Sequence, residues 1–238
     1  MRIDIWSDVV CPFCWIGKRH LEAALDGFRV EHPDAEVEVV WRAYELDPQA
    51  PASTDESNSE RLAAKYGMPV AEADAMQEQI AERFRAVGLE FDWRAARATN
   101  THDAHRLAAL ATARGRGDAA DEALKRAHFT DGELLSDPAV LSRIGTGIGL
   151  PAAEVDALLA GDAYADEVRR DQAEARALGV TGVPFFVLDG RLAVSGAQPT
   201  DLFRQALERA WREGPVPGAS PGREGDDGEA CADGTCSV

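Results

Sequence analysis

Two cysteines separated by two residues, Cys11 and Cys14, stand where a strand pattern gives way to a helix pattern. The short apolar run at residues 3–6 predicts a buried strand, and apolar side chains recur at helical spacing after Cys14. A valine-rich run at residues 37–40 predicts a second strand. Strand, helix and strand in this order form a βαβ unit, so the sequence predicts an α/β fold whose first helix begins at the cysteines.

Three kinds of site fit this cysteine spacing: a structural disulfide, half of a zinc site and a redox couple. A structural zinc ion needs four ligands, and the other cysteines of the sequence are Cys231 and Cys236, far along the chain. The opening residues lack the long apolar run and cleavage site of a signal peptide, so we expect a cytoplasmic protein. Structural disulfides are rare in the cytoplasm, which favours the redox couple.

The charge of the chain limits the classes of partner that it can bind. Acidic residues outnumber basic ones 42 to 25, giving a formal net charge of −17. Nucleic acids and anionic membrane surfaces both require clustered Lys and Arg, so neither is expected as a partner. We also expect no cofactor and no metal.

The middle of the chain differs from both ends. Residues 57–180 show almost only helical patterns separated by Gly, Pro or Asp, and usual helix lengths predict four to six helices there. Later, two apolar runs flank Asp189 and Gly190, a strong hairpin signal. A last helical pattern follows, with Thr200 as its predicted N-cap.

A dithiol catalyst needs one sulfur as a thiolate at neutral pH. A helix N-terminus lowers the pKa of a thiol through its free N–H groups and the positive end of its dipole. Cys11 is expected at such an N-terminus, because Pro12 suits the first helical position. Cys14 should lie one turn further on the same side. Lys18 is the basic residue nearest to Cys11 in the sequence, and we expect the helix terminus to provide most of the stabilisation of the Cys11 thiolate.

Pro184 begins the late strand pattern, directly after Val183. A cis bond between them would turn the Val183 backbone outward beside the cysteines, where a substrate chain could pair with it. The alternative is an ordinary proline at the start of a strand. We favour the first interpretation.

The Cys-Pro-Phe-Cys opening, the long helical insertion, the segment GVPFF and the segment GAQ (residues 196–198) together resemble the thioredoxin-fold oxidoreductases of the DsbA type. The resemblance is strongest to their cytosolic FrnE-like branch and covers residues 1–213. It implies a thiol-disulfide oxidoreductase or isomerase, with Cys11 as nucleophile and Cys14 as resolving thiol. It also implies these substrate-binding residues: Pro12, Phe13, Val183 and Pro184. The implied partners are protein or small-molecule disulfides and dithiols, with glutathione or another low-molecular-weight thiol as a candidate.

The resemblance also implies a domain organisation. Residues 1–56 and 176–213 would form a discontinuous thioredoxin-like domain, and residues 57–175 an inserted helical domain. Residues 214–238 are rich in Gly, Pro and Asp and are expected to form a flexible tail. The tail carries Cys231 and Cys236, which are a second redox pair, a metal-binding pair or incidental thiols.

Weaker candidates and rival functions remain open. Asn100 and His102 are candidate site-lining residues, and His102 and His105, three residues apart on one helix face, could act as ligands or bases. A polar helix start is the commoner explanation for such a segment. One rival function is a glutathione-dependent isomerase or transferase, like the hydroxychromene-carboxylate isomerases and kappa-class transferases. These typically carry serine at the first active-site position, so Cys11 argues against them. The other rival is a non-catalytic protein that binds thiols or metals.

Overall fold

The computed structural model describes residues 1–214 and contains a four-stranded mixed sheet. The order is β2-β1-β3-β4, built from β1 (Arg2–Ser7), β2 (Glu38–Ala43), β3 (Phe185–Leu188) and β4 (Leu192–Ser195). β1 pairs in parallel with β2 and antiparallel with β3, which pairs antiparallel with β4. The parallel pair requires a crossover, and helix α1 (Pro12–Glu31) provides it. The predicted βαβ unit is thus confirmed.

Seven helices lie between β2 and β3, all within the described residues, so the expected four to six were too few. They are α2 (Asn58–Tyr66), α3 (Val70–Ala86), α4 (His102–Ala113), α5 (Gly117–Phe129), α6 (Pro138–Gly147), α7 (Ala152–Ala160) and α8 (Ala165–Ala177). The extra breaks come from short connections. For example, α2 ends at Gly67 with a φ of 65°, and Pro69 caps the next helix. None of the helices in residues 1–214 has the length and apolarity needed to cross a membrane.

The hairpin between β3 and β4 forms where it was predicted. Asp189 and Gly190 have φ values of 50° and 65°. Positive φ at both residues suits the tight turn of a β-hairpin. The last helix, α9 (Thr200–Glu213), begins one residue earlier than predicted. Its N-cap is Pro199, which has an extended conformation, so Thr200 is the first helical residue and not the cap.

Two apolar clusters make up most of the core. One joins the sheet to α1 and α9, and its largest members are Ile3, Ile5, Phe28, Phe186, Phe203 and Leu207. The other lies among α4–α7, around Leu107, Leu124, Leu141 and Val155. The chain therefore has the predicted thioredoxin-like α/β fold with inserted helices. The proposed domain boundaries at residues 57 and 175 remain a prediction.

A third cluster, of aromatic side chains, lies between α1 and the inserted helices. Trp15, in the first turn of α1, stacks on Phe129 with ring centroids 5.8 Å apart. It also meets Phe84 of α3 edge-on at 5.6 Å. All three side chains are buried. Because Trp15 follows Cys14 directly, the inserted helices pack against the turn that carries the cysteines.

Candidate active site

Cys11 lies at the junction between strand and helix. It is the N-cap of α1, and Pro12 occupies the first helical position. Its backbone N–H donates to the carbonyl of Asp8 at 3.1 Å, which closes a turn after β1. Both cysteines are buried, with 4% of Cys11 and 1% of Cys14 exposed. The sequence therefore placed this pair correctly at a helix N-terminus.

The pKa of the Cys11 thiol lies below its usual value. The first cause is a hydrogen bond that the Cys14 thiol donates to it, and the backbone N–H groups of Cys14 and Phe13 add to the effect. Burial and the negative charge of Asp8 act in the opposite direction. The helix terminus contributes as expected, but the largest contribution comes from the partner thiol.

Lys18 is not among the main groups that lower the pKa of Cys11. Its ammonium group is buried and donates to the Asp118 carboxylate at 2.7 Å. Glu122 lies 3.3 Å away and adds a second negative charge. Lys18 thus ties α1 to α5.

The pKa of Cys14 lies well above its usual value, first because the thiol is buried and then because Cys11 is so close. Two groups oppose this shift: the positive charge of Lys125 and a hydrogen bond from the Ser7 hydroxyl. The Lys125 ammonium donates to Ser7 Oγ at 3.0 Å. A line of polar groups therefore runs from the Cys14 sulfur to a buried lysine.

Lys125 is paired with Asp121, one turn earlier on α5. None of the Lys125 side chain and only 5% of that of Asp121 is exposed. The Lys125 ammonium also lies 4.8 Å from the centre of the Trp41 ring. Sequence reasoning missed this pair, because an Asp and a Lys four residues apart are typical of an exposed helix face.

A small cavity borders this buried pair. Its volume is about 20 Å³, enough for roughly one water molecule, and its polar lining includes Ser7, His105, Asp121 and Asp171. Trp41 also lines it, and neither Trp41 Nε1 nor Asp121 Oδ2 makes a hydrogen bond within the described part of the chain.

Two histidines lie near Asp8, which precedes Cys11 by three residues. His105 Nε2 lies 3.3 Å from Asp8 Oδ1, and both side chains are buried. Burial lowers the pKa of His128 to about 4, although the negative charge of Asp8 opposes the shift. His105 thus approaches the active-site turn through Asp8, whereas His128 is held neutral near pH 7.

The segment of Val183 and Pro184 lies directly against the cysteines. The bond between them is cis, as predicted. The Cys11 thiol donates to the Val183 carbonyl at 3.5 Å, and no hydrogen bond in residues 1–214 uses the Val183 N–H. A Cβ atom at Gly17 would lie 3.0 Å from Pro184 Cγ, so glycine lets α1 approach this segment closely.

The other residues that the sequence predicted for the site lie in two separate parts of the structure. Pro12 and Phe13 lie at the start of α1, and 37% of Phe13 is exposed. Asn100 donates to the carbonyl of Ala50 at 3.1 Å, and His102 lies 3.5 Å from a carboxylate oxygen of Glu45. Neither Asn100 nor His102 makes a hydrogen bond with the cysteines, and their role as site-lining residues stays a prediction.

A group of metal-ligand type occurs elsewhere in residues 1–214, away from the cysteines. Glu31, His32 and Glu208 bring potential ligand atoms within 4.8 Å of one another where α1 ends beside α9. The histidine already pairs with Glu208 at 2.8 Å. The predicted second cysteine pair, Cys231 and Cys236, lies outside the described residues.

The sequence matches the DSBA-like thioredoxin domain family over residues 2–208. Among solved structures, a probable DsbA oxidoreductase of Streptomyces coelicolor is 43% identical, with a TM-score of 0.83 and coverage of 100% of this chain and 99% of the other.

Two more distant proteins of known structure share the fold alone. The cytosolic disulfide reductase DsbM of Pseudomonas aeruginosa is 22% identical, with a TM-score of 0.63 over 90% of this chain and 100% of that one. Its structure with GSH gives a TM-score of 0.60 at 21% identity. A 2-hydroxychromene-2-carboxylate isomerase is 16% identical, with a TM-score of 0.63 over 90% of this chain and 97% of that one.

Proposed function

The chain belongs to the DSBA-like thioredoxin domain family, and from this we propose that it is a thiol-disulfide oxidoreductase of the FrnE-like branch in which Cys11 is the nucleophile. The observation that carries the proposal is the asymmetry of the two sulfurs. Cys11 stands at the N-terminus of α1 with a lowered pKa, whereas the pKa of the buried Cys14 is raised. A disulfide exchange catalyst needs one sulfur that attacks first and one that waits.

The first step is attack of the Cys11 thiolate on a substrate disulfide. A bond forms between Cys11 Sγ and one substrate sulfur, and the substrate S–S bond breaks. The electron pair leaves with the other substrate sulfur as a thiolate. The hydrogen bond from the Cys14 thiol and the backbone N–H groups of α1 stabilise the Cys11 thiolate before this attack.

The second step needs the Cys14 proton to leave, and the substrate thiolate released in the first step accepts it. The Cys14 thiolate then attacks Cys11 Sγ, forms the protein disulfide and releases the second substrate sulfur as a thiolate. Substrate is reduced by two electrons and the protein dithiol is oxidised by two. The Ser7 hydroxyl and the Lys125 charge stabilise the Cys14 thiolate in this step, and the reverse sequence oxidises a dithiol.

The groove for the substrate lies beside Val183. Its carbonyl faces the Cys11 sulfur and its N–H has no partner within residues 1–214. An extended peptide or a peptide-like thiol could pair with this backbone, as strand edges do in other recognition sites. Protein disulfides and low-molecular-weight thiols such as glutathione are therefore both proposed substrates. DsbM is described as cytosolic, and we place the reaction of this protein in the cytoplasm.

The test compares Cys11→Ser with Cys14→Ser in the full-length protein. We expect Cys11→Ser to abolish disulfide reduction, and Cys14→Ser to accumulate a mixed disulfide at Cys11 that mass spectrometry detects. A double replacement of Cys231 and Cys236 by serine is the control for non-specific thiols. Insulin reduction near the wild-type rate in the Cys11→Ser protein would show that the nucleophile is wrongly assigned.

The same variants separate this function from an isomerase of similar fold. An isomerase or transferase needs no second sulfur, so its turnover should survive the Cys14→Ser change. An oxidoreductase of the kind described above stops at the mixed disulfide with Cys11 and completes no turnover. The reduction potential of the couple then gives the direction of flux, with about −270 mV typical of a reductase and about −120 mV of a strong oxidant.

A further inference from the structure

Arg83 of α3 lies beside the dipeptide that separates the two cysteines. Its guanidinium carbon is 5.9 Å from the centre of the Phe13 ring, within the range of a cation–π contact. The next residue along α3, Phe84, is buried against Trp15 of α1. This contact fixes α3 against the active-site turn, so the position of Arg83 follows from core packing and not from a mobile loop.

The Arg83 guanidinium has no anionic partner within the described residues. It makes no hydrogen bond or ion pair there, and its contact is the ring of Phe13. The residues three and four positions away on the helix are uncharged: Gln79, Ile80, Ala86 and Val87. Arg85 on the same helix differs, because it pairs with Glu78 at 3.0 Å. The donors of Arg83 are thus available to a ligand.

We propose that Arg83 is a specificity-determining residue that binds the carboxylate of an anionic thiol or disulfide while its sulfur reacts with Cys11. The inference rests on the proposed function and names a substrate class for that site. With a net charge of −17 the chain repels small anions. An arginine stacked on a ring presents a planar fork of donors that suits a carboxylate. Phe13, which is partly exposed and lies between Cys11 and Cys14 in the sequence, brings this fork to the turn of the cysteines.

The test measures single bond exchange at Cys11 and needs no turnover. In the full-length chain, serine replaces Cys14, Cys231 and Cys236, so that Cys11 is the one thiol. The protein reacts with dithiobis(nitrobenzoate), which carries two carboxylates, and with dithiodipyridine, which is uncharged. In each case a bond forms between Cys11 Sγ and a reagent sulfur, and the reagent S–S bond breaks to release an absorbing thiolate or thione.

We expect Arg83→Gln to lower the rate ratio of the anionic to the neutral reagent by about tenfold, as for the loss of one charged hydrogen bond. Arg83→Lys should keep most of the ratio, and Arg83→Glu should lower it further. The matched control is Arg85→Gln, on the same helix, which should change the ratio less than about twofold. High salt should remove most of the difference between Arg83→Gln and the parent.

An unchanged ratio in Arg83→Gln overturns the inference. Equal slowing with both reagents also overturns it, since Arg83 would then act only by holding Phe13 and α3 in place. The result is separable from the proposed function. If the ratio depends on Arg83 while the chain with all four cysteines turns over no disulfide, the proposed catalysis is rejected and the anion site is retained.

Discussion

Replacing Lys125 by methionine should separate the chemical role of the buried charges from their structural role. The side chain is fully buried, and its ammonium contacts Asp121, Ser7 and the Trp41 ring. Methionine keeps the volume but removes the charge. The change leaves the Asp121 carboxylate buried with Lys18 as a remaining cation at 3.8 Å.

The expected cost in stability follows from this geometry. Breaking a buried ion pair by removing one partner costs about 3–5 kcal/mol. Lys18 remains 3.8 Å from Asp121 Oδ2 and keeps a counter-charge beside the carboxylate, so the low end of this range applies. We therefore expect a loss of about 3 kcal/mol in the free energy of unfolding, measured in urea. Lys65→Met, at an exposed lysine of α2, is the control and should change it by less than about 0.5 kcal/mol.

The expected effect on the chemistry is confined to the second step. The Lys125 charge lowers the pKa of Cys14, so its removal raises that pKa further. Each unit reduces the thiolate fraction about tenfold, and resolution of the mixed disulfide should slow by about that factor or more. Stopped-flow measurement of the two steps should show little change in the attack by Cys11.

A double variant at Lys125 and Asp121 distinguishes an effect of the Lys125 charge from an effect of the fold. Lys125→Met combined with Asp121→Leu removes both charges, and such replacements often recover stability. The double variant should regain most of the lost unfolding free energy while resolution stays slow. If resolution recovers together with stability, the buried pair acts only through the fold. If Lys125→Met costs less than about 1 kcal/mol, the pair is not buried as described.

Three further predictions concern packing, pH and the C-terminal residues. Gly17→Ala should cost about 1–3 kcal/mol in urea unfolding because its Cβ meets Pro184 and Phe186 at 3.0 and 3.3 Å, whereas Gly27→Ala on the same helix has open space and should be neutral or stabilising. The pKa of His128 falls from 6.5 to about 4 on folding, so the unfolded chain binds the proton first as the pH drops. Relative to His128→Leu, the wild type should therefore lose roughly 3 kcal/mol of unfolding free energy between pH 6.5 and 4. Parallel pH profiles of the two proteins would contradict this. Deleting residues 214–238 should change turnover or reductant preference with little change in stability, and identical rate, potential and reductant choice in the shortened protein would make Cys231 and Cys236 bystanders.

The features that the sequence predicted well depend on local patterns. A strand followed by Cys-Pro-Phe-Cys and a helix needs only neighbouring residues to place Cys11 at a helix N-terminus. The Asp189-Gly190 turn is equally local. Pro184 could be placed beside the cysteines only through the resemblance, because its position depends on the long-range pairing of β1 with β3, which no short-range pattern contains.

The features that the sequence did not predict depend on which helix face becomes buried. Asp121 and Lys125 form an ordinary surface pattern at a spacing of four, yet α5 turns this face towards Ser7 and Trp41. The number of inserted helices was also underestimated, since short connections such as Gly67–Pro69 do not reveal how far each helix extends. In both cases tertiary packing decides, and single-residue propensities carry little information about it.

The inserted helices take part in the chemistry of this site through Cys14. β1 supplies Ser7 and α1 supplies both sulfurs, but the charge that favours the Cys14 thiolate comes from Lys125 on α5. The stack of Trp15 on Phe129, the last residue of α5, holds that helix against the turn of the cysteines. The attack by Cys11 draws on groups of α1 itself. Changes in the packing of α5 should therefore alter the second step of exchange and leave the first nearly untouched, because the two sulfurs depend on different parts of the chain.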